Sequence, residues 1–214
     1  MQQTRFTNNV ECTVDEILKR CGNHVKLAAP LGLGKPNILL NALYQRVKLT
    51  SNLSLTIYTA LSLQIPQTTN ELQSRFIKPF LTRHFGDQYP ELDYEIDRNK
   101  NCLPDNIVVH EFYFSSGSQL NVSSAQQDYI CQNYTHVARD LVAANVNLLL
   151  QQVVQRDNKI SLSCNPDVSL ELIDRMKQEN KALFTVGVFN NELPYLGGDA
   201  EVSQELFNLL LEDG

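Results

Sequence analysis

Gly32 and Gly34 stand one residue apart, followed by Lys35 and Pro36, inside the stretch PLGLGKPNILLN that runs from Pro30 to Asn41. Glycine permits backbone angles and close approaches that other residues resist, and a proline at the first turn of a helix forfeits no needed N–H. A glycine turn opening a helix leaves free N–H groups converging at the positive end of the helix dipole, where an anion or a polarised oxygen is stabilised. Two familiar phosphate loops fail against this stretch. A Walker A loop separates its first glycine from Gly-Lys by four residues and continues with Ser or Thr, whereas here one residue separates the glycines and Pro36 follows Lys35. A dinucleotide loop needs a third glycine where Asn37 stands and an acidic residue closing the next strand, and residues 50–64 contain no Asp or Glu. A plain structural turn is the competing reading of the same glycines.

Other reactive types are scattered. His136 and Asp140 lie one helical turn apart with Asp128 upstream, the spacing of a general-base pair, yet no nucleophile is near and a surface or capping pair is expected. His24, His84 and His110 have no second ligand at metal spacing, so no metal is expected. Cys12, Cys21, Cys102, Cys131 and Cys164 are odd in number and include no CxxC pair, which argues against a disulfide framework or a zinc site and predicts reduced thiols. Cys164, beside Asn165-Pro166 at a strand end, is expected to be a small buried hydrophobe. Lys35 is expected to carry a flexible, solvated ammonium.

The elements that must position these residues follow from periodicity. Val25, Leu27, Ala28 and Ala29 predict a buried strand over 24–29 that feeds the glycine turn, and a helix from Pro36 to about Lys48 carries Ile38, Leu39, Ala42, Leu43 and Val47 at helical spacing. Residues 53–62, LSLTIYTALS, are β-branched and apolar, which predicts a strand covered on both faces. Together these form a β-α-β unit. Upstream, Thr13 and Glu16 predict a capping box and a helix over 14–21. Downstream come a helix over 69–85 that Pro79 should kink or split, a strand over 107–114 with Ser115, Ser116 and Gly117 at its carboxyl end, and a helix through Ala144. Strands over 146–154, 160–164 and 182–189 follow, with a helix from Asn165 to about Asn180 between them and an amphipathic helix over 203–211 at the close. The expected fold is α/β, an open, mostly parallel sheet flanked by helices.

With 214 residues and 43% hydrophobic content the chain can bury a real core. A net charge of −6 without a basic cluster argues against duplex nucleic acid, though a CoA or nucleotide site needs only local donors. Nothing in the N-terminal MQQTRFTNNVECTVDE resembles a signal peptide and no apolar run reaches spanning length, so a soluble, cytoplasmic protein without membrane contact is expected.

PLGLGKPNILLNALYQRV, LTIYTALSL, AQQDYICQNYTHVARDL, ISLSCNPDVSLEL and NNELPYLGGDAEV, in this order from Pro30 to Val202, resemble the acetyl-CoA hydrolase/carboxylate CoA-transferase family, which includes acetate and 4-hydroxybutyrate CoA-transferases. The resemblance leans toward a longer bacterial branch of hydrolase/transferase-like proteins. It implies the α/β domain shared by CoA-transferases and sugar-phosphate isomerases, present twice in a full-length chain, so residues 1–214 read as the N-terminal half of a longer protein. It also implies a glutamate in the C-terminal domain that attacks an acyl-CoA thioester, giving an anhydride and then a glutamyl-CoA thioester. No catalytic residue is then expected in this chain, and the fragment alone should be inactive. Coenzyme A enters as substrate rather than as a tightly bound cofactor, with acyl-CoA, a small carboxylate, the C-terminal domain and further copies of the chain as partners. Expected substrate contacts are Gly32, Gly34, Lys35 and Pro36, then Asn133, Tyr134 and His136 of the NYTH stretch and Asn190, Asn191 and Pro194 of NNELP. Valine at position 34 is expected to push into the ligand space. The family's proline- and glycine-bearing stretch before Ser-Leu-Gly is replaced by residues 154–159, ahead of Ser161-Leu162-Ser163, which leaves the acyl pocket and the acceptor open. The alternative is a non-catalytic interaction or regulatory domain that keeps the fold.

Overall fold

The computed structural model describes residues 4–86, 88–157 and 159–212. Asn158, in the stretch that departs from the family pattern, and Gly214 lie outside them. In chain order the strands are β1 (Arg5–Thr7), β2 (His24–Ala28), β3 (Ser54–Thr59), β4 (Ile107–Glu111), β5 (Leu148–Arg156), β6 (Lys159–Ser161), β7 (Phe184–Phe189), β8 (Glu201–Val202) and β9 (Leu209–Glu212). The helices are α1 (Val10–Cys21), α2 (Asn37–Lys48), α3 (Glu71–Phe85), α4 (Asp93–Asn99), α5 (Ser123–Gln127), α6 (Val137–Ala143) and α7 (Ser169–Gln178).

Seven strands run parallel in the order β1-β9-β7-β5-β2-β3-β4, and β6 and β8 add a short antiparallel extension on β5. The expected open, mostly parallel α/β sheet is therefore the observed one. Alternation along the strands sends Val25, Leu27, Leu55, Ile57, Leu148 and Leu150 to one face, under α1 and α2, where Val14, Leu39 and Leu43 meet them. Ala28 and Leu149 point to the other face, against Leu141 and Val142 of α6 and Leu172 and Met176 of α7. Leu27 is fully shielded; truncating such a leucine to alanine typically costs about 2–5 kcal/mol, because a cavity remains where contacts were.

Several local expectations are corrected. Helix α1 begins at Val10, since Asn9 rather than Thr13 caps it, its Oδ1 accepting the Cys12 N–H at 2.9 Å. Thr13 sits inside the helix and returns its hydroxyl to the Asn9 carbonyl. Strand β3 alternates buried and half-buried residues, so it is covered mainly on one face. Pro79 does not split α3, which runs unbroken from Glu71 to Phe85. None of its side chains is buried, and Leu72, Phe76 and Phe80 are exposed. Cys164 is exposed rather than buried.

The largest correction is at residues 203–211. A short 3-10 turn over Gln204–Leu206 leads into strand β9, with Leu209, Leu210 and Leu211 all buried between β1 and β7. Three consecutive leucines fit a strand covered on both faces better than an amphipathic helix, which would turn one of them to solvent.

Candidate functional site

Strands β3 and β4 follow β2 toward one edge, whereas β5, β7 and β9 lead toward the other, so the strand order reverses between β2 and β5. Ligands of open α/β sheets bind at such a switch, outside the carboxyl ends of the strands. β2 pairs with β5 only through Leu27↔Leu148 and Ala28↔Leu149. Beyond Ala28 the β2–α2 connection fills the switch, and it is the glycine turn singled out in the sequence.

The two glycines have different jobs. Gly32 has φ +47°, a left-handed angle that other residues resist, while a side chain there would meet only ordinary contacts, the nearest being Leu63 at 3.7 Å. A Cβ on Gly34 would lie 2.7 Å from both the Asn165 carbonyl oxygen and Pro30 Cγ. Gly34 therefore lets the turn press against the loop before α7; the space it keeps clear belongs to protein, not ligand, and the expectation that a valine there would enter the ligand space is corrected.

Beside the turn lies a cleft of about 630 Å³, bordered by Gly32, Lys35, Pro36 and the first residues of α2 on one side and by Gln152 in the middle of β5 and Asn190 and Asn191 just past β7 on the other. Pro36 is the N-cap of α2 and its carbonyl receives the Leu40 N–H at 2.9 Å, which leaves the earlier amides of the helix without helical acceptors. Asn190 is fixed in place, its Nδ2 donating to Gln152 Oε1 at 3.0 Å and its Oδ1 accepting the Glu192 N–H at 3.0 Å. Anion-attracting amides on one wall and side-chain amides on the other suit a phosphate or carbonyl-bearing ligand.

Lys35 is not solvated. It is 2% exposed, and its Nζ donates to the Ala60 carbonyl at 2.6 Å and the Leu61 carbonyl at 3.2 Å. Burial lowers its ammonium to about 8, despite the opposing pull of Glu111, Asp167 and Glu95. Leu61 is held at φ +45°, rare for a leucine. Next to it, Ser62 turns its hydroxyl and its N–H to Glu111 Oε1, at 2.6 and 3.0 Å, and meets the Tyr94 hydroxyl at 2.6 Å. Buried Arg98 pairs with both Glu95 and Glu111. Burial raises Glu95 to about 7, with Arg98 pulling it down and Glu111 pushing it up, while Gln119 donates to it at 2.8 Å. This cluster was not anticipated from the sequence. Its signals were a lone glutamate, Glu111, inside the apolar run IVVHEFYF and the i,i+3 pair Glu95–Arg98.

The expected contacts do not form one set. Gly32, Lys35, Pro36, Asn190 and Asn191 border the cleft, with Gly34 packed behind the turn. The Pro194 carbonyl accepts the Ser163 hydroxyl at 2.8 Å. Tyr134 borders a different cavity, on the α6–α7 side of the sheet, where its hydroxyl donates to Asp167 Oδ1 at 2.7 Å. Burial and that bond hold its phenol above the usual range. Asp167 in turn accepts the Leu31 N–H, so it ties Tyr134 to the turn. Asn133 and His136 border neither space; Asn133 Oδ1 accepts the Thr135 hydroxyl at 2.6 Å. Asp140 is paired with its neighbour Arg139, whose hydrogen bond lowers its carboxyl below the usual value. Among the described residues no group of three His, Cys, Asp or Glu side chains could hold a metal ion, and no helix is long and apolar enough to cross a membrane.

The fold is a CoA-transferase-like α/β fold. RipA from Yersinia pestis superimposes with a TM-score of 0.63 at 15% identity over 98% of this chain and 42% of its own. A 4-hydroxybutyrate CoA-transferase from Porphyromonas gingivalis superimposes with a TM-score of 0.53 at 14% identity over 97% of this chain and 38% of its own. The chain thus spans about two fifths of the length of these structural relatives. No protein-family model and no curated protein sequence matches it.

Proposed function

We propose that this chain is the N-terminal domain of an acyl-CoA:carboxylate CoA-transferase or acetyl-CoA hydrolase, with coenzyme A as substrate and the glutamate nucleophile supplied by a second domain. The observation that carries this is the cleft at the β2/β5 switch, where the glycine turn and the start of α2 face Asn190 and Asn191. In this reading the α2 amides receive a phosphate or the thioester carbonyl, and Asn190 and Asn191 orient the pantetheine amides. Lys35 works from behind, holding the Ala60 and Leu61 carbonyls and so fixing the floor of the turn. The full-length protein acts in the cytoplasm as a homo-oligomer.

The test pairs binding with turnover. Purified alone, the chain should bind acetyl-CoA saturably in calorimetry and release no free thiol from it in the presence of acetate. Ile38→Glu, at a half-exposed residue in the first turn of α2, should weaken binding at least ~10-fold by placing a carboxylate where the anion sits. Absent binding by a folded chain, or binding indifferent to Ile38→Glu, would remove the cleft from the proposal; robust turnover would remove the second-domain glutamate. The alternative, a non-catalytic domain on the same fold, draws support from Lys35, the one lysine bordering the cleft, being engaged by carbonyls. CoA transfer by the full-length protein would exclude it.

A further inference from the structure

The cavity on the α6–α7 side of the sheet has about 250 Å³ of space and no part in the acyl-CoA proposal. Its body is apolar, built from Ala28, Leu141, Leu149 and Leu172 of the second core cluster. One wall is aromatic: Tyr58 stacks on His110 with ring centres 5.1 Å apart, and Phe112 meets Tyr134 edge-on at 6.0 Å. An engineered apolar cavity of about 150 Å³ accommodates benzene, so this one admits a body of one or two rings.

Two of its polar groups present acceptors without a donor. His110 Nδ1 lies 3.0 Å from the Asp128 carbonyl oxygen, which can only accept, so the neutral ring carries its hydrogen there and presents Nε2 as a lone pair. Gln132 Oε1 is buried and has no partner among the described residues. The Tyr134 hydroxyl is spent on Asp167 and the Ser169 hydroxyl on Gln151. Asp140 and Asp167 stand at the border, and no lysine or arginine lines the space. A buried acceptor without a donor is costly, and a carboxylate brought here would meet the Asp167 carboxylate, which has no salt bridge among the described residues, whereas Asp140 is already paired with Arg139.

We propose that this cavity binds a compact aromatic molecule of one or two rings that carries an N–H or ammonium donor and no negative charge, at a site separate from the cleft. The ring fills the space between Leu141, Leu149 and Leu172 against the aromatic wall. The donor reaches Gln132 Oε1 and His110 Nε2. Where the donor is an ammonium, Asp167 receives its charge at the rim, and Asp167 also holds the Leu31 N–H, so occupancy is felt at the backbone of the turn.

The probes are tryptamine, indole-3-acetate and toluene, titrated into the folded chain by calorimetry and by amide NMR spectra. Tryptamine should saturate, shift the Leu31 amide, and bind at least ~10-fold more tightly than indole-3-acetate. Gln132→Leu, which removes an acceptor that holds nothing else, should weaken tryptamine at least ~5-fold and leave toluene unchanged. Leu141→Trp, which fills the space, should abolish both. Failure of tryptamine to saturate at millimolar concentration would overturn the proposal, as would equal affinity for indole-3-acetate, saturation without movement at Leu31, or a Gln132→Leu chain that binds tryptamine like the parent.

Discussion

Lys35→Met isolates the energetics of a lysine held under the glycine turn. The ammonium is shielded from water and titrates near 8 rather than 10.5. A folded-state value below the unfolded one means the unfolded chain binds the extra proton between those limits, so stability rises with pH across that window. Below about 8 the cost of burying the charged form is present in full, and it fades as pH climbs toward 10.5. Integrating between about pH 7 and about pH 9.5 gives the parent chain ~2 kcal/mol of stability relative to a variant with nothing to titrate there. For a chain of this length that is a relative rise in melting temperature of roughly 4–8 °C. Lys35→Met also strips the Ala60 and Leu61 carbonyls of their donor, a loss of about 1–3 kcal/mol that offsets the gain from removing a buried charge near neutrality. The offset is independent of pH, so the comparison of interest is how the difference between the two proteins changes. Thermal melts of both chains, followed by circular dichroism at about pH 7, 8.3 and 9.5, supply it. Parallel melting curves across that range would refute a buried, charged Lys35.

Two further perturbations test neighbouring features. Gly34→Ala should destabilise by about 1–3 kcal/mol, because the new methyl meets the Asn165 carbonyl and Pro30 at contact distances no core tolerates, while Gly32→Ala should cost only about 1 kcal/mol, the price of a left-handed alanine with room around it; chemical denaturation separates them. Glu95→Gln should flatten the pH dependence of stability between about 4.5 and 7: the raised carboxyl of the parent favours the fold at the acid end and loses that advantage as pH rises through about 7, by an amount on the order of 3 kcal/mol, and a variant with an unchanged slope in urea titrations would place the proton elsewhere.

The turn was legible because glycine and proline act locally: their constraints on φ and on the N–H apply whatever surrounds them. Strands β2 and β7 and helix α2 were legible from apolar periodicity. Strand β9 was not, since Leu209, Leu210 and Leu211 form a run too short for periodicity to separate strand from helix, and the partners that settle it, β1 and β7, come from distant parts of the chain. The burial of Lys35 escaped for the same reason, its acceptors lying 25 and 26 residues away. The NYTH stretch resembles the family pattern as clearly as the turn does, yet Tyr134 borders the opposite side of the sheet from the cleft. Resemblance along the chain carries no information about which face a segment serves.

The pairing of β1 with β9 has a temporal consequence. Arg5 stands opposite Leu209, and β9 is the one strand β1 pairs with among the described residues. A ribosome adding about 5–20 residues per second reaches Leu209 roughly 10–40 seconds after Arg5. Throughout that interval β1 has no partner strand in the sheet, while β2, β3 and β4 can already zip together. The sheet therefore receives β1 only once β9 is in place.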